Sequence, residues 1–291
     1  MTGPVVVGLD GSPASVTAAW WAAREAVDRR LPLLLLHSWT TQPLNVPIAQ
    51  AAHSKQRYGE QVLRRTEAEL LHRYGTLSVT SELVSAPATN ALVDLSETAT
   101  MLVLGSRGHG AVSSFLLGSI SLHVLGLSHC PAVTVRAGDP AVESGYGHPA
   151  AAGRDEILVG VQEAAPASDP LLEFAFTTAD VRGVPLRAVR ALPLSALVTQ
   201  PRPEGDGVPA EERERLAALL TPWREKFPAV DVVEHTAHGS ASQVLLAAAA
   251  HARLTVVGRR LHPSPLMWKL GPVAHAALHH VPCPVAVVPH D

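Results

Sequence analysis

Three short segments of this chain occur twice, at almost constant spacing. VVVGLD returns as ILVGVQ, LVLGSRG as TVVGRRL, and HCPAVTV as PCPVAVV. Gly8 and Gly160 lie 152 residues apart, Gly105 and Gly258 lie 153 apart, and Cys130 and Cys283 also 153. A repeat of that length is a duplicated domain, not the unit of a solenoid. Whatever the first half folds into, the second half must fold into again. In a chain of 291 residues each copy is long enough to bury its own core. The predicted organisation is a domain over residues 1–137, a linker over 138–154 and a second domain over 155–291. The stretch AGDPAVESGYGHPAAAGRD around the boundary is rich in Gly, Pro and Ala and has no apolar period.

Strands and helices alternate within the first half. PVVVGLD, LPLLLLHS, LSVTSELV, MLVLGS and PAVTVR read as strands. Helical patterns fall between them: one opened by Ser12 as N-cap and Pro13 at the first helical position, a long polar one over about 50–74, a short one after Pro87, and one from about Gly118 to Ser128. Trp20 and Trp21 are adjacent on the first helix, so at most one can face inward. Near-continuous apolar strands separated by helices predict an α/β fold, a parallel sheet covered on both faces. The expected order is 3-2-1-4-5, a Rossmann-like doubly wound sheet, present twice in tandem. Such sheets bind ligands beyond the carboxyl ends of the strands, where the order reverses. Asp10 ends the first strand and Gly105 the fourth, neighbours at that point.

The segment GSRGHGAVSSFLLGS, residues 105–119, follows the fourth strand. A glycine loop running from a strand end into a helix offers bare N–H groups to an anion. Gly105 and Gly108 let the backbone turn and approach, while Gly118 and Ser119 open the next helix, whose positive dipole end suits phosphate. Arg107 and His109 lie inside the loop, where either can reach a phosphate. Asp10, across the switch point, is placed to accept from ribose hydroxyls. The chain has no G-x-x-x-x-G-K-[ST], which excludes a P-loop, and the loop follows the wrong strand for a G-x-G-x-x-G dinucleotide site.

Gly105-x-x-Gly108, nine residues, then Gly118-Ser119 resembles the signature of ATP-binding universal stress proteins. VVVGLDGS resembles their opening strand and its acidic residue, and LLLLHSW their second strand, where the residue after the histidine, here Ser38, meets adenine. The resemblance covers almost the whole chain as a tandem pair. It implies a cytoplasmic nucleotide-binding stress regulator, dimeric through the last strand of a domain. Gly8, Asp10 and Ser38 would line the nucleoside, and Gly105, Gly108, Gly118 and Ser119 the phosphates of ATP. Any Mg²⁺ would be carried by those phosphates and by water. The second half departs from the pattern. Gln162 stands for Asp10, Leu261 for Gly108 and Pro272 for Ser119, each removing a donor, a charge or backbone room. The nucleotide is therefore expected in the first domain, although Arg259, Arg260 and Lys269 could still attract an anion in the second.

Composition removes other classes. With 47% hydrophobic residues, 17% charged residues and a formal net charge of -3, the chain is globular and lacks the basic field of a nucleic-acid binder. No apolar run reaches membrane-span length, and no signal peptide is expected at the start. Two cysteines make no disulfide framework and fit a reducing compartment. His275, His279 and His280 have helical metal spacing without an evident third ligand, so no metal site is expected. The loop carries phosphate donors but no base or paired nucleophile, which favours binding over turnover. A slow nucleotide hydrolase and a tandem scaffold that binds nothing are the two alternatives.

Overall fold

The apolar runs of the first half form five parallel strands: β1 (Val5–Leu9), β2 (Leu33–Ser38), β3 (Val79–Val84), β4 (Met101–Ser106) and β5 (Ala132–Arg136), in the order β3-β2-β1-β4-β5. The computed structural model describes residues 3–40, 48–106, 118–143, 153–162, 165–193, 208–261 and 270–291, and the chain divides into two units, Met1–Ala150 and Ala151–Asp291. In the first, β1 is central: Gly8 lies opposite Leu36 of β2 on one side and Leu104 of β4 on the other. Val5, Val6 and Val7 are fully buried, as a strand covered on both faces requires.

The helices connecting these strands are α1 (Pro13–Arg29), α2 (Ile48–Arg73), α3 (Ala88–Leu95) and α4 (Ser119–Leu127). Ser12 caps α1 as expected: its hydroxyl accepts from the Ser15 N–H at 3.3 Å, and Pro13 sits at the first helical position. The face that α1 turns to the core is built from Ala14, Ala18, Ala19, Ala22, Ala23 and Ala26, all buried. Small residues let the helix axis approach the sheet. Trp21 is buried, whereas Trp20 is half-buried beneath the Arg73 guanidinium, 5.0 Å from the ring centroid.

The stretch read from sequence as linker begins with a helical turn, α5 (Pro140–Glu143). The Asp139 carboxylate accepts from the Ala141 N–H at 3.0 Å and the Thr17 hydroxyl donates to Glu143 at 3.1 Å, which docks the turn on α1. A local Asx turn and one side-chain bond to α1 hold a turn where no apolar period announces a helix.

The second unit repeats the plan with β6 (Glu156–Gly160), β7 (Leu186–Leu192), β8 (Val232–His238), β9 (Ala252–Arg260) and β10 (Val285–His290), in the order β8-β7-β6-β9-β10. Its helices are α6 (Asp169–Arg182), α7 (Ala210–Lys226), α8 (Ala241–Ala248) and α9 (Pro272–His280). On α7, Leu216 and Leu220 are buried while Glu211 and Arg215 pair on the outside, so the helix is amphipathic. Trp223 and Phe227 of α7 stack on Phe176 of α6 at 5.9 and 5.7 Å between centroids. One difference bears on function. Helix α1 begins at Pro13, five residues after Gly8, whereas α6 begins at Asp169, nine residues after Gly160. Among the described residues, no helical turn directly follows the strand end in the second unit as it does in the first.

Candidate functional site

At the carboxyl ends of β1 and β4 the first unit opens into a cleft of about 230 Å³. The strand order dictates its position: β2 and β4 flank β1, and the connections out of them leave on opposite sides. Six of the nine residues expected at a nucleotide site, Gly8, Asp10, Ser38, Gly105, Gly118 and Ser119, line this cleft. The other three, Arg107, Gly108 and His109, lie outside the described residues.

Asp10 follows the last residue of β1. Its Oδ1 accepts from the Ser12 N–H at 2.9 Å, and its own N–H donates to the Ser15 hydroxyl at 3.3 Å. These bonds tie the turn to the first residues of α1. Gly11 makes the turn possible, with φ +81 in the left-handed region and with Tyr58 of α2 packed where a side chain would go. The amino ends of two helices thus reach the same cleft, α1 through Ser12, Ala14 and Ser15 and α4 through Gly118, Ser119 and Ser121. Both present positive partial charge.

Gly105 and Gly118 are glycines for different reasons. A Cβ on Gly105 would stand 2.5 Å from the backbone carbon of Ala14 and 2.6 Å from the Ser15 nitrogen. The first turn of α1 rests directly on β4, so packing within the protein accounts for this glycine. Gly118 caps α4 with φ -62 and ψ 151, a conformation open to any residue, and a Cβ there would meet nothing within 4 Å. Among the described residues neither φ nor packing requires glycine at 118, and as an N-cap it leaves the amino end of α4 bare toward the cleft. Gly8 keeps the cleft wall flat, since a Cβ there would press on Leu104 and Leu92 side chains at 3.2 and 3.3 Å.

The opposite end of the cleft is more apolar. Leu36, Leu92 and Ala88 form its walls, and Ser38 supplies the polar group. The Ser38 hydroxyl lies 2.6 Å from the Ala86 carbonyl oxygen and 2.7 Å from the Thr40 hydroxyl, which itself lies 2.6 Å from the same carbonyl. Thr40 and Ala86 are not legible from sequence as site residues, because the contact joins a strand end to a loop 46 positions on. Behind the cleft, His37 is buried against Gly59 and edge-on to Tyr58 at 6.2 Å. Burial holds its imidazole below its ordinary 6.5, with a bond to the Leu9 backbone and the Asp10 charge acting the other way. Among the described residues, its buried Nδ1 has no hydrogen-bond partner.

The corresponding place in the second unit is built differently. Gly271 caps α9 in an open conformation like that of Gly118, and Pro272 takes the first helical position, where it removes an N–H. A Cβ on Gly258 would stand 2.6 Å from the His290 ring, so an imidazole occupies the side where the first turn of α1 rests on Gly105. The Leu261 N–H donates to the His290 carbonyl at 2.7 Å. Arg259, considered above as an anion attractor, is buried, and burial lowers its guanidinium pKa; Lys269 lies outside the described residues. On α9, His275 and His279 stack at 4.5 Å; among the described residues no group of three or more His, Cys, Asp or Glu is placed to hold a metal ion. Nor is any described helix long and apolar enough to cross a membrane.

Two doubly wound α/β units of one strand order, joined in a single chain, define a tandem Rossmann-like architecture. The chain belongs to the universal stress protein family, whose model matches residues 1–136 and again 153–289. It is similar along its length to the universal stress protein Rv2005c of Mycobacterium tuberculosis, 32% identical over 292 residues that cover 97% of this chain and 96% of the relative. A universal stress protein of Mycolicibacterium smegmatis is 29% identical over 291 residues, covering 98% of this chain and 96% of the relative. Among solved structures, a universal stress protein from Archaeoglobus fulgidus shares the fold, with a TM-score of 0.78 at 19% identity over 99% of this chain and 98% of that one.

Proposed function

We propose that the cleft of the first unit holds an adenine nucleotide, ATP foremost, and that the protein acts as a nucleotide-dependent regulator of a stress response with little or no hydrolysis. The observation that carries this reading is Gly118: a glycine that neither its φ nor its packing requires, at the start of a helix, facing an open cleft. A bare backbone at a helix amino end suits a phosphate, which then meets N–H groups and the positive end of the dipole. Ser119 adds a hydroxyl. Asp10, held by the Ser12 N–H, accepts from ribose hydroxyls, and the leucine walls beside Ser38 suit the flat apolar faces of a base. The nucleotide thus runs from Ser38 on the β2 side to Gly118 on the β4 side.

Among the described residues that line the cleft, Asp10 is the only titratable side chain. We assign that carboxylate to the ribose and not to the activation of water at a γ-phosphate. Magnesium would travel on the phosphates. A cytoplasmic homodimer is the assembly that the family resemblance suggests. The test is to extract the purified protein, identify any retained nucleotide by mass, and titrate the emptied protein with ATP and Mg²⁺ by calorimetry. The expected result is ATP or ADP in the extract, saturable binding, and phosphate release barely above background. Turnover of about 1 per second or more, abolished by Gly118→Val, would make the protein an enzyme instead.

A further inference from the structure

We propose that His275 and His279 on α9 form an exposed two-point clip for a divalent transition-metal ion, copper(II) ahead of nickel(II) and zinc(II). The clip belongs to the second unit and does not rest on the nucleotide reading. Residues four apart on a helix share one face, with their Cβ atoms about 5–6 Å apart. Here the two imidazoles lie with ring centroids 4.5 Å apart and 19° between their planes. A ring nitrogen binds such an ion at about 2.0–2.1 Å, so two nitrogens on one ion are about 3 Å apart. Tilting two rings that already stack brings a nitrogen of each to that spacing without moving the helix. The core side of α9 is filled by Ala274, Ala277 and Leu278, whereas His275 is exposed and His279 half-buried. An ion can therefore reach the pair from solvent.

The donor set fixes the chemistry. Imidazole suits copper, nickel and zinc, whereas magnesium and calcium ask for oxygen. Among the described residues no third His, Cys, Asp or Glu joins the pair. The protein thus supplies two nitrogens, and water fills the remaining positions. A site with two protein ligands, not four, holds its ion exchangeably and not as a structural pin. With so few ligands the general order of divalent affinities decides, and it peaks at copper(II). The place on the helix adds to the attraction: His279 lies in the last turn of α9, where the negative end of the dipole favours a cation. His280 shares that turn, but consecutive residues point about 100° apart around a helix. Its ring lies 6.3 Å from that of His279 at 52°, beside the clip and not part of it. The sequence shows the four-residue spacing; the stacking of both rings on one accessible face is what the structure adds.

The test uses the nucleotide-free full chain, so that no phosphate carries the ion, with Cu²⁺ added up to one equivalent. Calorimetry reads the affinity, and electron paramagnetic resonance reads the number of bound nitrogens. His275→Ala is the main variant, because that residue is exposed and its loss leaves the core side of α9 intact. His279→Ala is the second variant and His280→Ala the control. The wild type should bind one Cu²⁺ through two imidazole nitrogens. Losing either member turns a two-point site into a one-point site and should weaken binding about 10²-fold or more. His280→Ala should bind as the wild type does, and excess Mg²⁺ should not compete. Coordination by a single imidazole in the wild type, an affinity unchanged in His275→Ala, or an equal loss in His280→Ala would overturn the inference. Each of these results leaves the nucleotide reading untouched, since α9 belongs to the second unit.

Discussion

Gly118→Val and Gly105→Ala should separate what the fold needs from what the ligand needs. At Gly118 the backbone has φ -62 and a new Cβ meets nothing within 4 Å. Valine is a poorer N-cap than glycine, at a cost of about 0.5–1 kcal/mol, but it restricts the unfolded chain, which returns about 0.4–1 kcal/mol. The melting temperature should therefore move by no more than a few degrees. Binding is another matter. The isopropyl group stands where phosphate would approach the amino end of α4. Loss of two charge-assisted bonds, at about 1.5–3 kcal/mol each, weakens ATP by about 10²–10⁴-fold. Gly105→Ala should do the reverse. Its Cβ would sit 2.5 Å from the Ala14 backbone, so the first turn of α1 has to lift, at a cost of about 1–3 kcal/mol or more. Thermal melts and ATP calorimetry on both variants measure the two effects. ATP affinity within threefold of wild type in Gly118→Val, at unchanged stability, would refute the assignment of that glycine. An unshifted melt for Gly105→Ala would refute the packing argument.

Equilibrium dialysis with saturating ATP should give one nucleotide per chain, held by the first unit; a value near two would show that the second cleft admits nucleotide despite Pro272 and His290. His37 favours its neutral form in the folded protein, so the unfolded chain takes up the proton first as the pH falls. Its contribution to stability is complete above about pH 6.5 and declines below that toward the lowered folded pKa. Urea unfolding at pH 7.5 and 5.0 should show the acid loss, reduced in His37→Gln. Burial pushes the Cys130 thiol up to about 12, so it should resist alkylation at pH 8 until denaturant is added; rapid labelling of the native protein would contradict its burial.

The backbone plan of the first unit is readable because each element carries a local signal. Strand-length apolar runs mark β1, β2 and β4, and Ser12-Pro13 marks the start of α1. The glycine loop after β4 points to the place where the cleft lies. Other features leave no local mark. The turn α5 is held by contacts with Thr17, more than a hundred residues earlier, and the Ser38 hydroxyl meets the Ala86 carbonyl. Gly105 shows the limit of motif reasoning from the other side. In sequence it reads as making room for phosphate, yet the Ala14 backbone lies where its side chain would be. A glycine in a sequence says that something comes close; only coordinates say whether that something is protein.

The same distinction explains how two copies of one fold can differ in what they hold. The strands of both units keep their order and their buried valines and leucines, because a change there costs core packing. The ends of β6 and β9 carry no such constraint. There α6 starts late, and the place beside the strand-end glycine, filled by α1 in the first unit, is taken by the His290 ring, while Pro272 removes one N–H from α9. Gly271 still caps its helix with nothing within 4 Å, as Gly118 does. An open helix cap is therefore common to both units, and what sets the first apart is the group of residues around it. Asp10 tied to Ser12, a first helical turn seated on Gly105, and Ser38 closed on Ala86 all converge on one cleft.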